Sequence, residues 1–258
     1  MVHDTPTGRQ IKAAPINQFA LSLFGPIAKD YERWSRILSL GQDPRWRRHM
    51  VRGLQAAAGA RILDVAAGTG EVTRLLAGRG LSVISLDQSP EMISMAVRRG
   101  AVAVLGRAEA LPFPDNCFDA LTFTYLFRYV QDPISCLKEL VRVVRPGGAV
   151  GMVEFGRPGG IWAPFWMIYT RTVLPLAGTL ISGGWRRAGK FLGPSIDDLH
   201  RRFPGDRLLQ MWRESGLSHV SAKHLTFGSG LVMWGQKKRA SGTGISPKGD
   251  CFTRPHAK

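Results

Sequence analysis

Residues 62–70 read Ile-Leu-Asp-Val-Ala-Ala-Gly-Thr-Gly, an apolar run that ends in a glycine-rich turn. A second apolar run, residues 81–86, ends in Asp87, seventeen positions after Gly70. This spacing is typical of the nucleotide-binding half of a doubly wound α/β domain. In such a unit the helix after the turn directs its N-terminal amides at the ligand, and the acid that ends the second strand binds ribose hydroxyls.

The residues around the turn indicate which ligand it holds. A dinucleotide site has a third small residue that lets helix and strand pack while the amides face a pyrophosphate, but here that position is Thr73. Asp64, four residues before Gly68, would repel a bound anion and attract an ammonium group. Because S-adenosylmethionine carries an ammonium, a carboxylate and a ribose, it is the predicted cofactor.

The predicted cofactor site follows from this assignment. Its members near the turn and the second strand are Asp64, Ala66, Gly68, Gly70, Asp87 and Gln88. The alternative is that the two glycines only make a strand-to-helix turn and that Asp87 caps the helix beginning near Pro90.

Alternating patterns along the chain predict an α/β fold, a doubly wound and mostly parallel seven-stranded sheet of Rossmann-like type. Helical patterning covers 16–58, with a helix entered at Asp43-Pro44 and Asp43 as its cap. Predicted strands are 61–66, 81–86, 101–105, 118–124 and 148–155, followed by a possible antiparallel pair at 218–226 and 229–236. Predicted helices between them are 70–79, 90–98 and 133–145, with a later one at 208–215.

We therefore predict one domain between two tails. The tails are a flexible N-terminus (1–15) and a disordered basic C-terminus (239–258), and the domain is 16–238. Within the domain we predict a helical cap (16–58), a cofactor-binding core (61–155), a lid (159–205) and a C-terminal helix with strands (206–238).

Residues 159–184 are almost wholly apolar and aromatic around one charge, Arg171. A transmembrane helix is disfavoured because Arg171 lies near the middle and two prolines interrupt the segment. We predict an inserted helical lid over an apolar substrate, and core packing against the sheet is the alternative. Basic residues beside aromatics follow at 185–190, so the span 159–190 is a candidate for peripheral contact with an anionic membrane surface.

The formal charge of +16 is unevenly distributed. Residues 61–155 hold ten basic and ten acidic side chains, whereas residues 156–258 hold sixteen basic and five acidic ones. An anionic neighbour, lipid headgroups or nucleic acid, would suit these flanks, and an arginine-rich composition without a partner is the alternative. The three cysteines form no ligand cluster, so no metal is expected. The polar N-terminus favours a cytoplasmic location, and the pattern predicts no oligomeric state.

Several segments beyond the glycine turn resemble the quinone-biosynthesis C-methyltransferases of the UbiE/MenG type, a family of class I S-adenosylmethionine-dependent methyltransferases. The resemblance runs from about residue 19 to 238. Its segments are Tyr31-Glu32, Leu38-Ser39 with Trp46, 108–115, Phe127-Arg128, 142–148, 153–155, 192–196 and Phe203-Pro204. The chain departs from the family at Glu32, Trp34, Ser35 and Asp43, the last replacing a histidine, and at Tyr129 and Gly156.

The resemblance implies methylation of a ring carbon in a lipophilic quinol such as demethylmenaquinol. Arg128 is then expected to stabilise the phenolate, and Tyr31 to close the N-terminal segment over the cofactor, with Tyr125 and Tyr129 as secondary candidates. The alternatives are that Arg128 pairs with Asp132 and that the tyrosines only pack.

Adenine recognition is expected near the third strand. Methyltransferases commonly place Asp or Asn where this chain has Arg107, so the backbone at Ala108 or the side chain of Glu109 would take over that role. Three other functions stay open: methylation of another small molecule such as a phospholipid amine, methylation of nucleic acid, and cofactor binding without catalysis. Nucleic acid is disfavoured because residues 122–128 lack the proline pair of base-amine methyltransferases.

Overall fold

A computed structural model describes residues 15–239. Within this range the chain forms a seven-stranded sheet in the order β3-β2-β1-β4-β5-β7-β6. The strands are β1 Arg61–Val65, β2 Ser82–Asp87, β3 Val102–Leu105, β4 Phe118–Thr124, β5 Val144–Phe155, β6 Leu217–Leu225 and β7 Gly230–Lys237. Strands β1 to β5 pair in parallel, and β7 pairs antiparallel with both β5 and β6. The predicted fold class is therefore confirmed. The predictions for residues 1–14 and 240–258 lie outside the described residues.

Helices cover both faces of this sheet. They are α1 Pro15–Phe24, α2 Tyr31–Leu38, α3 Gln42–Gly53, α4 Glu71–Ala77, α5 Pro90–Arg98, α6 Pro133–Arg142, α7 Ala163–Ile168, α8 Leu174–Ile181, α9 Gly183–Arg202 and α10 Arg207–Glu214. Apolar residues of α3 and α4 pack with β1 in one buried cluster, and those of α6 and α10 pack in another. Helix α6 begins as predicted, because the Asp132 carboxylate accepts hydrogen bonds from the backbone N–H groups of Ile134 and Ser135.

Two predicted boundaries around Pro146-Gly147-Gly148 were wrong. Helix α6 ends at Arg142 and β5 begins at Val144, where the prediction had helix to 145 and strand from 148. Val144 pairs with Phe118 of β4 before an irregularity in the register. The strand passes through the glycines because Gly147 adopts a φ of +78° and a Cβ at Gly148 would lie 2.6 Å from the Asp119 carbonyl oxygen.

The predicted lid is helical and lies between β5 and α10. A π-helical turn, Tyr169–Val173, joins α7 to α8, and α9 folds back along α8. The two helices approach backbone to backbone, since a Cβ at Gly178 would lie 2.4 Å from the Trp185 carbonyl oxygen. No helix within residues 15–239 has the length and hydropathy needed to cross a bilayer.

The order of the strands indicates which edge of the sheet binds ligands. Strand order reverses between β1 and β4, and ligands of open α/β sheets bind at the carboxyl ends of strands at such a point. The glycine turn follows β1 there, and the segment carrying Tyr125 and Arg128 follows β4. Helices α1 to α3 and the lid cover the same edge.

Candidate active site

The glycine turn between β1 and α4 is held by Asp87. Ala66, Gly68 and Gly70 all have positive φ, between +53° and +84°. One Asp87 carboxylate oxygen accepts from the Gly68 N–H at 2.8 Å, and the other accepts from the Ser89 N–H at 2.9 Å. Ser89, rather than Asp87, caps α5 by accepting from the Met92 N–H. The alternative that Asp87 serves as a helix cap is therefore wrong.

Asp64 lies beneath the turn instead of at the predicted contact with an ammonium group. Its two carboxylate oxygens accept from the hydroxyls of Thr73, at 2.7 Å, and Thr122, at 2.9 Å. The side chain is buried and does not line the cavity above the turn. Burial raises the pKa of Asp64 to about 6, although both threonine hydrogen bonds act to lower it. Thr73, the residue that departs from the dinucleotide pattern, thus joins α4 to β1.

A cavity lies above the turn, and groups that suit an S-adenosyl cofactor line it. Of the predicted cofactor residues, it is lined by Ala66, Gly68, Asp87, Gln88, Ala108 and Glu109. The other three do not line it: Asp64 is buried, Gly70 closes the turn, and Arg107 lies beside Glu109, with 3.5 Å between its guanidinium and the Glu109 carboxylate. Apolar lining comes from Leu86, Met92, Leu126 and Val130.

Two charged residues that the sequence did not single out also line this cavity. Arg47 of α3 and Glu71 at the start of α4 are both buried, with 3.5 Å between the Arg47 Nε and a Glu71 carboxylate oxygen. A cation and an anion side by side suit the carboxylate and ammonium of an amino-acid group. Together with the Asp87 carboxylate and the apolar wall, this donor set fits S-adenosylmethionine. Glu71 directly follows Gly70, whereas no sequence signal marks Arg47.

Asp43 was predicted to cap α3, and this was wrong. The helix begins at Gln42, its N-cap is Gly41, and the hydroxyl of Ser39, rather than the Asp43 carboxylate, accepts from a backbone N–H of the first turn. The Asp43 carboxylate is buried and accepts from Arg47 Nε at 2.7 Å, from the Tyr125 hydroxyl at 2.5 Å and from the Ser35 hydroxyl at 3.2 Å. The Asp-Pro pair that resembles a helix start is therefore part of the site.

A second cavity of about 430 Å³ lies under the lid. Aromatic side chains from five parts of the chain line it: Phe24, Tyr31, Trp46, Tyr125, Tyr129, Phe155, Trp162, Phe165, Trp166, Tyr169, Trp185 and Phe227. Among the described residues that line it, Asp43 and Arg128 are the charged ones. We call it the acceptor cavity. The lid thus covers an apolar space, as predicted, rather than only filling the core.

Arg128 is buried in the wall of the acceptor cavity. Its Nε donates to Glu154 at 2.9 Å, and its Nη1 donates to the Ser195 hydroxyl at 3.1 Å and the Tyr129 hydroxyl at 3.4 Å. Burial acts to lower its pKa, but Tyr129 and Glu154 outweigh burial, so the net direction is upward. Arg128 therefore stays a cation. The alternative that Arg128 pairs with Asp132 is wrong, because the Asp132 carboxylate caps α6 and Arg128 pairs with Glu154.

Three tyrosines connect the two cavities. Tyr31, Tyr125 and Tyr129 line both of them. Burial raises the pKa of each phenol, so all three remain protonated donors. Tyr125 adopts a φ of +57°, a strained conformation for an aromatic residue and one that accumulates at functional sites.

Helix α2 closes over the glycine turn. The Thr69 hydroxyl of the turn donates to Glu32 at 2.6 Å, and Arg99, directly after α5, pairs with the same carboxylate. Glu32 is one of the departures from the family pattern. Its contact explains how α2 and its first residue, Tyr31, are held at the cavity.

The sequence model of the ubiE/COQ5 methyltransferase family matches residues 15–237. The chain is 36% identical over 224 residues to the demethylmenaquinone methyltransferase of Thermus thermophilus, covering 83% of this chain and all of that protein. It is 38% identical over 212 residues to the enzyme of that name from Beutenbergia cavernae, covering 80% of this chain and 85% of that protein.

Solved structures share the fold. A possible histamine N-methyltransferase from Thermotoga maritima aligns with a TM-score of 0.61 at 21% identity, over 84% of this chain and 99% of that one. A phosphoethanolamine N-methyltransferase from Haemonchus contortus, solved with S-adenosyl-L-methionine, aligns with a TM-score of 0.60 at 13% identity, over 88% of this chain and 61% of that one. With most of its length matched, the chain belongs to the ubiE/COQ5 methyltransferase family and is an S-adenosylmethionine-dependent methyltransferase.

Proposed function

We propose that this enzyme methylates a ring carbon of a lipophilic quinol, demethylmenaquinol, in quinone biosynthesis. The acceptor cavity carries the proposal: its wall is apolar and rich in aromatic side chains, the charged groups that residues 15–239 contribute to it are one cation and one carboxylate, and it adjoins the cofactor cavity through three shared tyrosines. A bicyclic aromatic ring with a long isoprenoid chain suits such a wall. The demethylmenaquinone methyltransferases among its relatives support the same acceptor.

The cofactor cavity offers a partner for each part of S-adenosylmethionine. We assign Asp87 and Gln88 to the ribose, and the apolar wall with Ala108 and Glu109 to the adenine. Arg47 is assigned to the carboxylate and Glu71 to the ammonium group, the role first expected of Asp64. When bound, the cofactor supplies an electrophilic methyl group on a sulfonium.

Arg128 supports the acceptor's nucleophilicity. An aromatic carbon attacks well only when a neighbouring hydroxyl loses its proton, because the resulting phenolate raises electron density on the ring. A buried guanidinium stabilises that negative charge strongly where water is excluded. Glu154 and Ser195 fix the orientation of Arg128, since both contact its guanidinium.

We assign Asp43 the role of the general base that accepts the proton of the acceptor hydroxyl. It is the carboxylate among the described residues of the acceptor wall, and the Tyr125 hydroxyl holds it in place. The acceptor hydroxyl transfers its proton to Asp43 as the new carbon–carbon bond forms and the carbon–sulfur bond of the methyl donor breaks. Asp43 then returns its proton to the oxygen, takes up the ring proton from the methylated carbon and releases it to bulk water, so the ring is aromatic again and one proton is released overall. The family that this chain resembles usually has a histidine at this position, where this chain has a carboxylate.

The reaction can be tested directly. Purified enzyme is incubated with methyl-labelled S-adenosylmethionine and demethylmenaquinol in detergent micelles, and the product is located by mass spectrometry and NMR. Label on the ring carbon supports the proposal. Label on oxygen, in phosphoethanolamine or in RNA offered in parallel, or in no acceptor would contradict it.

The role of Asp43 has a separate test. Asp43→Asn keeps the size of the side chain and removes the base, so turnover should fall by about 100-fold, the usual contribution of general base catalysis. The loss should shrink as pH rises, because hydroxide increasingly ionises the acceptor without help. Tyr125→Phe, which removes one of the three hydrogen-bond donors to Asp43, should show a smaller loss. A loss in Asp43→Asn that does not change with pH would remove Asp43 from this role.

A further inference from the structure

The mouth of the acceptor cavity is surrounded by exposed apolar side chains. Leu40, Trp162, Phe165 and Phe227 line the cavity and are also exposed, by 75%, 41%, 66% and 67%. They come from three separate segments, and the Trp162 and Phe227 rings stack at 4.2 Å. We call these four residues the mouth cluster. The interior of the cavity and the outer surface are thus one continuous apolar surface.

The same surface continues along the outside of the lid. Ile168, Val173, Leu176 and Leu180 of the α7–α8 segment are exposed by 57%, 44%, 62% and 89%. Exposed apolar residues are common singly, but a contiguous row that borders a cavity marks an interaction site.

The backbone conformation of two of these residues also indicates that the exposure of their side chains serves a function. Leu40 and Phe227 adopt φ values of +51° and +57°, in the left-handed region that residues with bulky side chains rarely occupy. Both side chains are exposed, so burial in the core does not compensate for the strain. Strain retained at a site commonly reflects its function.

Basic side chains outnumber acidic ones around this surface. From residue 156 to 196 the sequence holds five basic residues and no acidic one. Arg186, Arg187 and Lys190 are exposed on α9, and Arg157 and Arg171 pair with Asp197 near the lid. Apolar side chains bordered by cations are the arrangement that binds the interface of an anionic bilayer.

We propose that the mouth cluster and the outer face of α7–α8 dock onto an anionic lipid bilayer, so that the acceptor enters the cavity directly from the membrane. A symmetric pairing of two copies through this face is disfavoured because it would bring two sets of cations together. The delivery of the acceptor rests on the proposed function, whereas the binding to lipid does not.

Vesicle sedimentation of the full chain tests the docking. The enzyme should bind vesicles of phosphatidylcholine mixed with phosphatidylglycerol at least about tenfold more tightly than phosphatidylcholine alone, because each cation near an anionic surface contributes about 1 kcal/mol. High salt should reduce this preference. Brominated acyl chains should quench part of the tryptophan emission, and Trp162→Phe should remove part of that quenching.

Matched variants localise the surface. Leu176→Gln/Leu180→Gln lies outside the acceptor wall and should weaken vesicle binding by about tenfold or more, given the apolar area removed from the bilayer. Val102→Gln/Leu105→Gln, which changes exposed apolar residues on the edge strand β3, should not weaken it. Arg186→Gln/Arg187→Gln should remove most of the preference for anionic lipid.

Activity separates this proposal from the proposed function. On a short-chain, water-soluble quinol without lipid, Leu176→Gln/Leu180→Gln should match the unmodified enzyme, and on long-chain quinol in vesicles its KM should rise. If the enzyme methylates the soluble quinol but does not bind vesicles, the docking surface is wrong and the proposed function stands. A stable dimer by light scattering that is dissociated by the same two substitutions, without vesicle binding, would show that a second copy covers this face.

Discussion

The cofactor cavity and the acceptor cavity lie side by side, but they are built differently. The glycine turn is held mainly by nearby parts of the chain: Asp87 accepts from Gly68 and Ser89, and Asp64 accepts from Thr73, with Thr122 as its one distant partner. The acceptor cavity instead joins aromatic residues from α1 to α3, the segment after β4, the end of β5, the lid and the turn before β7. The glycine turn thus owes its geometry mainly to local hydrogen bonds, and the acceptor side owes its geometry to long-range packing.

The largest expected effect is on the acceptor side, at Arg128. Arg128→Met should be made together with Glu154→Gln, because a buried Glu154 left without its partner would itself destabilise the fold. Turnover should fall by about 1000-fold, the loss typical for removal of a preorganised charge partner. Binding of S-adenosylhomocysteine, measured by calorimetry, should stay nearly unchanged. Equal losses in binding and turnover would mean that the two cavities do not have separate roles.

The next largest effect is expected on the free energy of unfolding, through the buried carboxylate of Asp64 beneath the turn. The pKa of Asp64 is raised to about 6 in the folded protein, above its ordinary value near 4 in the unfolded chain. The folded state therefore holds a proton that the unfolded state has released, and stability falls as pH rises from about 4 to about 6. Asp64→Asn removes this dependence, so its free energy of unfolding relative to the unmodified protein should rise by up to about 3 kcal/mol between pH 4 and pH 7.

Urea unfolding at both pH values measures this difference. Asp132→Asn is the matched control, because the pKa of Asp132 is lowered by its hydrogen bonds with Ser135. A lowered pKa stabilises the folded state above pH 4, and that effect is lost only as pH falls below about 4, so the stability of this variant relative to the unmodified protein should change little between pH 4 and pH 7. Parallel pH profiles for Asp64→Asn and the unmodified protein would contradict the burial of an ionised Asp64.

A smaller effect is expected for the ribose contact. Asp87→Ala removes a carboxylate that holds the turn and faces the cavity, so the Kd for S-adenosylhomocysteine should rise by about 100-fold, or about 2.7 kcal/mol. Asp87→Asn keeps an acceptor for the Gly68 N–H and should lose less. Calorimetry gives both values. An unchanged Kd in Asp87→Ala would remove Asp87 from the cofactor site.

The smallest expected effect tests the lid. Gly178→Ala places a methyl group 2.4 Å from the Trp185 carbonyl oxygen, which forces α8 and α9 apart. The KM for the quinol should rise by about tenfold, while cofactor binding stays constant because the turn lies elsewhere. Gly183→Ala, where a Cβ meets nothing within 4 Å, is the control. If cofactor binding weakened while the KM for the quinol rose, the cofactor cavity and the acceptor cavity would be coupled.

Local signals in the sequence were sufficient where the structure is local. The glycine turn, Asp87 at the end of β2 and the Asp132 cap of α6 all follow from spacing and residue type. Local signals failed where a longer-range contact prevailed. Asp-Pro at 43–44 has the form of a helix start, but the Asp43 carboxylate bonds to Tyr125, which lies 82 positions further along the chain.

The sequence by itself determined the sheet, the cofactor edge and the presence of a lid, because strand periodicity, glycine conformations and helix caps act over a few residues. Only the tertiary structure decided which charges meet. It turned Asp64 away from the cavity, brought Arg47 and Glu71 into it, and set Asp43 and Arg128 in one aromatic wall. Such contacts join side chains from helices and strands far apart in sequence, so they depend on how the whole fold packs.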